Sequence, residues 1–143
     1  MLIQDIKYND WQLSVTTPGG VVESVSDIAQ CIRTIVGTVK GSDPLRPEFG
    51  IDLFKYQDKP INWAIPNVIK DVIDALTTYE PRAEILRLEP KVTQSHLQFA
   101  IYWQPVNKSQ LQMLPEELDG SQIKIIELGG IGIMVIETTF FVF

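Results

Sequence analysis

The chain has 143 residues, enough for one domain that buries about two-thirds of its unfolded surface, and its 45% hydrophobic and 21% charged residues lie near the globular average. That composition excludes wholesale disorder. A formal charge of −6, with 12 scattered Lys and Arg, argues against a nucleic-acid surface, which needs a basic patch, and favours a protein or peptide partner.

In chain order, residues 1–23 read as an extended arm: YNDWQLSV is a leading strand, and TTPGGVV supplies a turn and a second short extended piece. Ser24 with Asp27 resembles a capping box, and Ile28, Ile32, Ile35 and Val36 then share one helical face that Gly37 closes as a C-cap. Cys31, the single cysteine, lies in this periodic segment and reads as a buried structural thiol; alone, it excludes an internal disulfide. The stretch TVKGSDPLRPEFGIDLF is an ordered loop rather than a linker, because Leu45, Phe49, Leu53 and Phe54 call for burial. Its Arg46 is expected to fix the loop by bonding backbone carbonyls or the carboxylate of Glu48 or Asp52 through its planar fork of donors. Asn62 caps a second helix with Pro66 in its first turn and Ile65, Ile69, Val72, Ile73 and Leu76 on one stripe.

The segment TTYEPRAEIL ends that helix, since Pro81 cannot continue it and pushes Glu80 out of helical geometry. A carboxylate at a helix C-terminus faces the negative end of the macrodipole and calls for a cation; Arg82 is the nearest. The pair is either internal or offered to a partner. AEILRLEPKV and HLQFAIYW then form a β-hairpin, in the second strand of which Leu97, Phe99, Ile101 and Trp103 alternate with Gln98, Ala100 and Tyr102. Residues 104–121 are polar and read as a long surface loop with a short helix near PEELD. IKIIEL, a Gly129-Gly130 turn and IGIMVIETTFFVF form a second hairpin. With no repeat and no linker, residues 1–143 are one α+β domain: two amphipathic helices on a mainly antiparallel sheet of about four to five strands.

The last strand is apolar on both alternating faces, with Ile131, Ile133, Val135, Phe141 and Phe143 on one and Met134, Ile136, Phe140 and Val142 on the other. Either it runs mid-sheet under both helices, or its distal part, Thr138, Thr139, Phe140, Phe141, Val142 and Phe143, waits for a partner, since this stretch carries neither charge nor proline. At 13 residues with Glu137 inside, it is too short and too polar to span a bilayer, and the start MLIQDIKYND is no signal peptide, so a soluble product with no membrane insertion is expected. Catalytic signals are thin. His96, the only histidine, sits at a hairpin tip beside Ser95; no His or Cys cluster has metal-ligand spacing; and Gly129-Gly130-Ile131-Gly132 is followed by strand rather than by the helix of a phosphate loop. No catalytic residue, metal or cofactor is assigned.

Gly41, the run Arg46-Pro47-Glu48-Phe49-Gly50, Leu53-Phe54, the amphipathic second helix and Glu80-Pro81-Arg82, in this order and spacing, resemble the baseplate wedge family of contractile tails. This is the group that includes phage baseplate assembly protein W and the corresponding wedge component of type VI secretion systems. The resemblance covers roughly residues 24 to 103. It implies a non-enzymatic structural baseplate protein that binds the wedge helical bundle and initiates the sheath around the tube. Glu80, Pro81 and Arg82 would be the wedge-docking corner, Arg46 to Gly50 the loop architecture, and the strand from Thr138 to Phe143 the sheath-binding element. Partners would be sheath and wedge proteins and the tail tube, with no nucleic acid, in six copies per baseplate. The protein would be made in the bacterial cytoplasm and built into a phage virion or injection particle. The alternative is a lysozyme-like glycoside hydrolase of a phage tail, a label some relatives have carried.

Overall fold

The structure, a computed structural model, describes residues 3–93, 96–107, 123–128 and 131–141. A 3-10 turn at Ile3–Asp5 leads to β1 (Trp11–Leu13) and β2 (Val21–Glu23), an antiparallel pair; α1 (Ser24–Gly37) and α2 (Ile61–Tyr79) follow, then β3 (Ala83–Thr93), β4 (His96–Pro105), β5 (Ile123–Leu128) and β6 (Ile131–Phe141). The last four strands form one antiparallel sheet in the order β3-β4-β6-β5. Two helices on a four-stranded antiparallel sheet is the α+β arrangement expected.

The alternation in β4 places Leu97, Phe99, Ile101 and Trp103 in the core, where they meet Ile28, Ile32, Ile35 and Val36 of α1. Several local expectations need correction. No capping box forms: Ser24 is already the first helical residue, with φ 54, its N–H donates to the Asp10 carbonyl, and its buried Oγ has no hydrogen-bond partner among the described residues. The carboxylate of Asp27 is therefore free to serve elsewhere. Asn62 does not cap α2, because the first turn closes one step earlier on the carbonyl of Pro60, which accepts from Trp63 and Ala64. Pro66 consequently lies inside the helix. The buried stripe of α2 is Ala64, Val68, Val72 and Leu76, with Ile65 and Ile69 on its flank and Ile73 exposed. A row with an alanine and two valines lets the helix approach its neighbours closely, which larger isoleucines would prevent.

The two edges of the sheet differ. β3 has a bulge at Leu86, where the register shifts between Ile85 and Arg87, and carries Pro90 among charged neighbours; bulges, proline and charge each blunt an edge against further pairing. β6 pairs with β4 from Met134 to Phe141, but with β5 only from Ile131 to Ile136. From Glu137 to Phe141, β6 thus has a neighbour on one side alone among the described residues. By register, Met134, Ile136, Thr138 and Phe140 stand opposite the core-facing residues of β4. Of the expected 104–121 loop, Gln104 and Pro105 instead complete β4; its residues 108–121 with the PEELD helix, the Gly129-Gly130 turn, Ser95, Val142 and Phe143 lie outside the described residues.

Candidate functional site

The corner at the end of α2 is built as the proline requires. Glu80 leaves helical geometry with φ −132 and ψ 72, its N–H still donating to the Leu76 carbonyl at 2.8 Å, and Ala83 N–H closes the turn on the Glu80 carbonyl. The side chains then pair inward. Arg82 Nε donates to Glu80 Oε1 at 2.7 Å and Nη2 to Oε2 at 2.8 Å, a fork-on-fork pair. Nη1 donates to Asp27 Oδ2 at 2.7 Å, across 55 residues of sequence, and lies 3.9 Å from Asp10 Oδ1. Glu80 is 3% exposed and Asp27 4% exposed, whereas the Arg82 side chain keeps 35% exposure and Pro81 is open to solvent. One guanidinium thus holds two buried carboxylates, and the hydrogen bonds it donates to Glu80 above all, then to Asp27, hold its acidity weaker than usual against the opposing effect of burial.

Two further groups complete the cluster. Gln12 of the arm donates from Nε2 to the Asp27 carbonyl at 3.0 Å and to Cys31 Sγ at 3.3 Å, and Arg82 Nη2 reaches the same sulfur at 3.6 Å. Burial first, then Asp27 and Glu80, push the Cys31 thiol up to about 11, so it stays protonated and inert at neutral pH. Asp10, Gln12, Asp27 and Cys31 were not legible as members of this site. The only hint is that Asp27 and Cys31, four apart, share a face of α1.

The Arg46 loop joins the same end of the molecule. Phe49 is buried edge-on against Tyr79, ring centres 5.0 Å apart, and Tyr79 Oη donates to the Glu48 carbonyl at 2.8 Å, immediately before Glu80. Gly50 takes φ +99, and a Cβ there would stand 2.3 Å from the Thr38 carbonyl oxygen, which accepts the Ile51 N–H. Arg46 does not bond Glu48 or Asp52. Its Nε pairs with Asp43 Oδ2 at 3.3 Å and its guanidinium lies 4.3 Å from the centre of the Phe49 ring, while Glu48 pairs with Lys40 at 3.1 Å. The reason is the turn itself: Asp43 accepts the Leu45 N–H and the Arg46 N–H reaches the Asp43 carbonyl, which brings residues 43 and 46 together. Leu45 is left at the tip, 91% exposed, and Phe54 begins a 3-10 turn at 68% exposure while Tyr56 takes the buried place. Both are corrections to the expectation of burial.

Between this loop and α2 lies a polar cleft of about 220 Å³ lined by Lys40, Glu48, Asp52, Lys55, Asp71 and Asp74 among others. Lys55 pairs with Asp71 at 2.6 Å and Tyr56 donates to the same carboxylate. Burial pushes the Asp71 pKa up, but Lys55 and Tyr56 outweigh it and hold the carboxyl below its ordinary value; the Leu45 N–H likewise holds Asp43 down. A glycosidase acid needs the reverse shift.

The chain matches the family described as Baseplate wedge protein gp25 over residues 22–107. It belongs to that family. The match spans both helices, the Arg46 loop, the Glu80–Arg82 corner and the β3–β4 hairpin, and leaves the arm before residue 22 outside. Solved structures share the fold. A candidate tail lysozyme from Geobacter sulfurreducens is 22% identical with a TM-score of 0.62, covering 85% of this chain and 93% of that one. A subunit of the postcontracted pyocin R2 baseplate is 21% identical at 0.59, covering 66% and 97%. One from the anti-feeding prophage baseplate is 19% identical at 0.54, covering 73% and 89%. No curated protein sequence matches the chain. This baseplate wedge protein is thus a structural component of a contractile tail or injection system. No helix among the described residues is long and apolar enough to cross a membrane.

Proposed function

We propose that this wedge protein starts the contractile sheath: it holds the wedge helical bundle at the Glu80-Pro81-Arg82 corner and offers the stretch from Thr138 through Phe143, whose residues 138–141 are the distal part of β6, to the first sheath subunit. The observation that carries the reading is the overhang of β6 beyond β5, which leaves Glu137 to Phe141 with pairing on one side only among the described residues. Strand addition there would supply main-chain hydrogen bonds, and the blunted outer edge of β3 offers no competing template. Six copies around the tube accord with the six-fold symmetrised anti-feeding prophage baseplate, whose subunit has this fold. The role is non-enzymatic. In support, the described carboxyls whose pKa is displaced, Asp43 and Asp71, are displaced to lower pKa, away from what a general acid needs.

The test is deletion of residues 138–143, with Thr139→Lys as a milder variant, since Thr139 stands opposite Gln98 rather than a core residue of β4. Both variants should join the wedge proteins and fail to seed sheath when baseplates are reconstituted and viewed by electron microscopy. A folded variant that still seeds sheath would place the platform elsewhere.

A further inference from the structure

The outward face of α2 is apolar where solvent calls for charge. Trp63, Pro66, Lys70, Ile73 and Thr77 follow one another at steps of three and four residues, all exposed, on the side of the helix away from the buried row of Ala64, Val68, Val72 and Leu76. These are the steps of a heptad seam, with Trp63, Lys70 and Thr77 at one set of positions and Pro66 and Ile73 at the other. At the rise of an α-helix the row runs for about 21 Å.

The largest member of the row is held in place. The Trp63 ring, 50% exposed, leans on Tyr56 with ring centres 5.7 Å apart, and Tyr56 is itself buried and bonded to Asp71. An indole steadied by a buried neighbour has little freedom left to lose on binding. Lys70 is the one charge in the row and makes no hydrogen bond or ion pair among the described residues. The carboxylate next to it in the chain, Asp71, is taken up by Lys55 and Tyr56.

We propose that this face of α2 seats an amphipathic helix of the wedge bundle, laid along α2 with its own apolar seam on Trp63, Pro66 and Ile73 and an Asp or Glu at the level of Lys70. The spacing selects a helix as the occupant, because two helices meet along rows of this period. The lysine selects a different chain over a second copy. Two copies laid on each other about Lys70 would set like charges together, whereas an acid there pairs the charge and fixes the register. The proposal rests on the reading above that this protein holds the wedge bundle, and it adds a second surface to the Glu80-Pro81-Arg82 corner together with the chemistry of the helix that fits it.

The experiment measures binding of the full-length protein to the purified wedge helical-bundle proteins of the same baseplate. Affinities are compared for wild type, Trp63→Ala, Ile73→Ser and Lys70→Glu, and hydrogen exchange at residues 79–83 reads the corner separately. All three substitutions sit on exposed side chains, and thermal melting verifies the fold; should the loss of the Trp63–Tyr56 contact unfold the first variant, the other two carry the test. Trp63→Ala should weaken binding about 30-fold, the lower bound for an anchor residue. Ile73→Ser and Lys70→Glu should each weaken it about tenfold, and wild-type affinity should fall as salt rises. Wild-type affinity in the folded variants, with 79–83 protected in the complex, would overturn the seat on α2 and leave the corner as the dock. Weakened variants with 79–83 unprotected would uphold the seat on α2 and overturn the corner. Tighter binding by Lys70→Glu would overturn the acidic partner, and no binding by wild type would overturn both surfaces.

Discussion

Arg82 and Arg46 each stand beside a proline in a tight turn, and they end in opposite environments. Arg82 engages two carboxylates that are almost wholly buried, one of them from a helix far away in sequence; Arg46 keeps 65% of its side chain exposed, pairs through one nitrogen with Asp43 three residues back, and lies over a ring. The difference follows from what surrounds each turn. The first lies where α1, α2, β3 and the arm converge, so its charges lose water and must satisfy one another. The second lies on a loop whose own Phe49 and Gly50 do the anchoring, so its arginine only lines the outside.

The comparison can be broken by substitution, and the largest effect belongs to Arg82→Ala. It would strand Asp27 and Glu80 without a cation, at a cost of about 3 kcal/mol, the low end for a buried pair because the guanidinium is partly exposed. The melting temperature should then drop by roughly 10 °C. An unchanged melting curve would mean that the cluster is no more than a surface pair.

Gly50→Ala should come next. A Cβ 2.3 Å from the Thr38 carbonyl oxygen at φ +99 forces the loop away from α1, at about 2 kcal/mol in urea denaturation. A neutral result would show that the loop yields, and would move its anchoring to Phe49 and Tyr79.

A pH scan reads the Arg82 cluster directly through Cys31, the one thiol in the chain. Its alkylation rate should rise through a midpoint near 11 rather than the ordinary 9.0, and Asp27→Asn should draw the midpoint down. Because the folded value is raised, the associated stability is fully present below pH 9.0 and is lost as pH rises through about 11. A midpoint unmoved by Asp27→Asn would detach Asp27 from the field at the sulfur.

Smallest is Arg46→Ala, expected to cost less than about 1 kcal/mol, since an exposed single-nitrogen pair and a surface cation–π contact are each weak. A loss comparable to that of Arg82→Ala would erase the distinction between the two turns.

Much of this was legible in the sequence. The alternation of Leu97, Phe99, Ile101 and Trp103 gave the buried face of β4, the spacing of Ile28, Ile32, Ile35 and Val36 gave that of α1, and Pro81 gave the stop of α2. These are local matters of period and backbone sterics, which a linear pattern carries. The Glu80–Arg82 contact was half legible, since residues two apart across a turn can meet, but neither its inward direction nor its third member was.

Sequence by itself determined the kinds of element, their order, the breakpoint at Pro81, and the resemblance to the wedge family. Only the tertiary structure decided that Asp27 leaves its helix end for Arg82, that Ala64 and Val68 rather than Ile73 face the core, that Asp43 takes Arg46, and that β6 outruns β5. Each of those is a choice among partners that the chain offers equally, and it is settled by which groups lose water together when the layers close. That property belongs to the assembled packing, and no window of the sequence contains it.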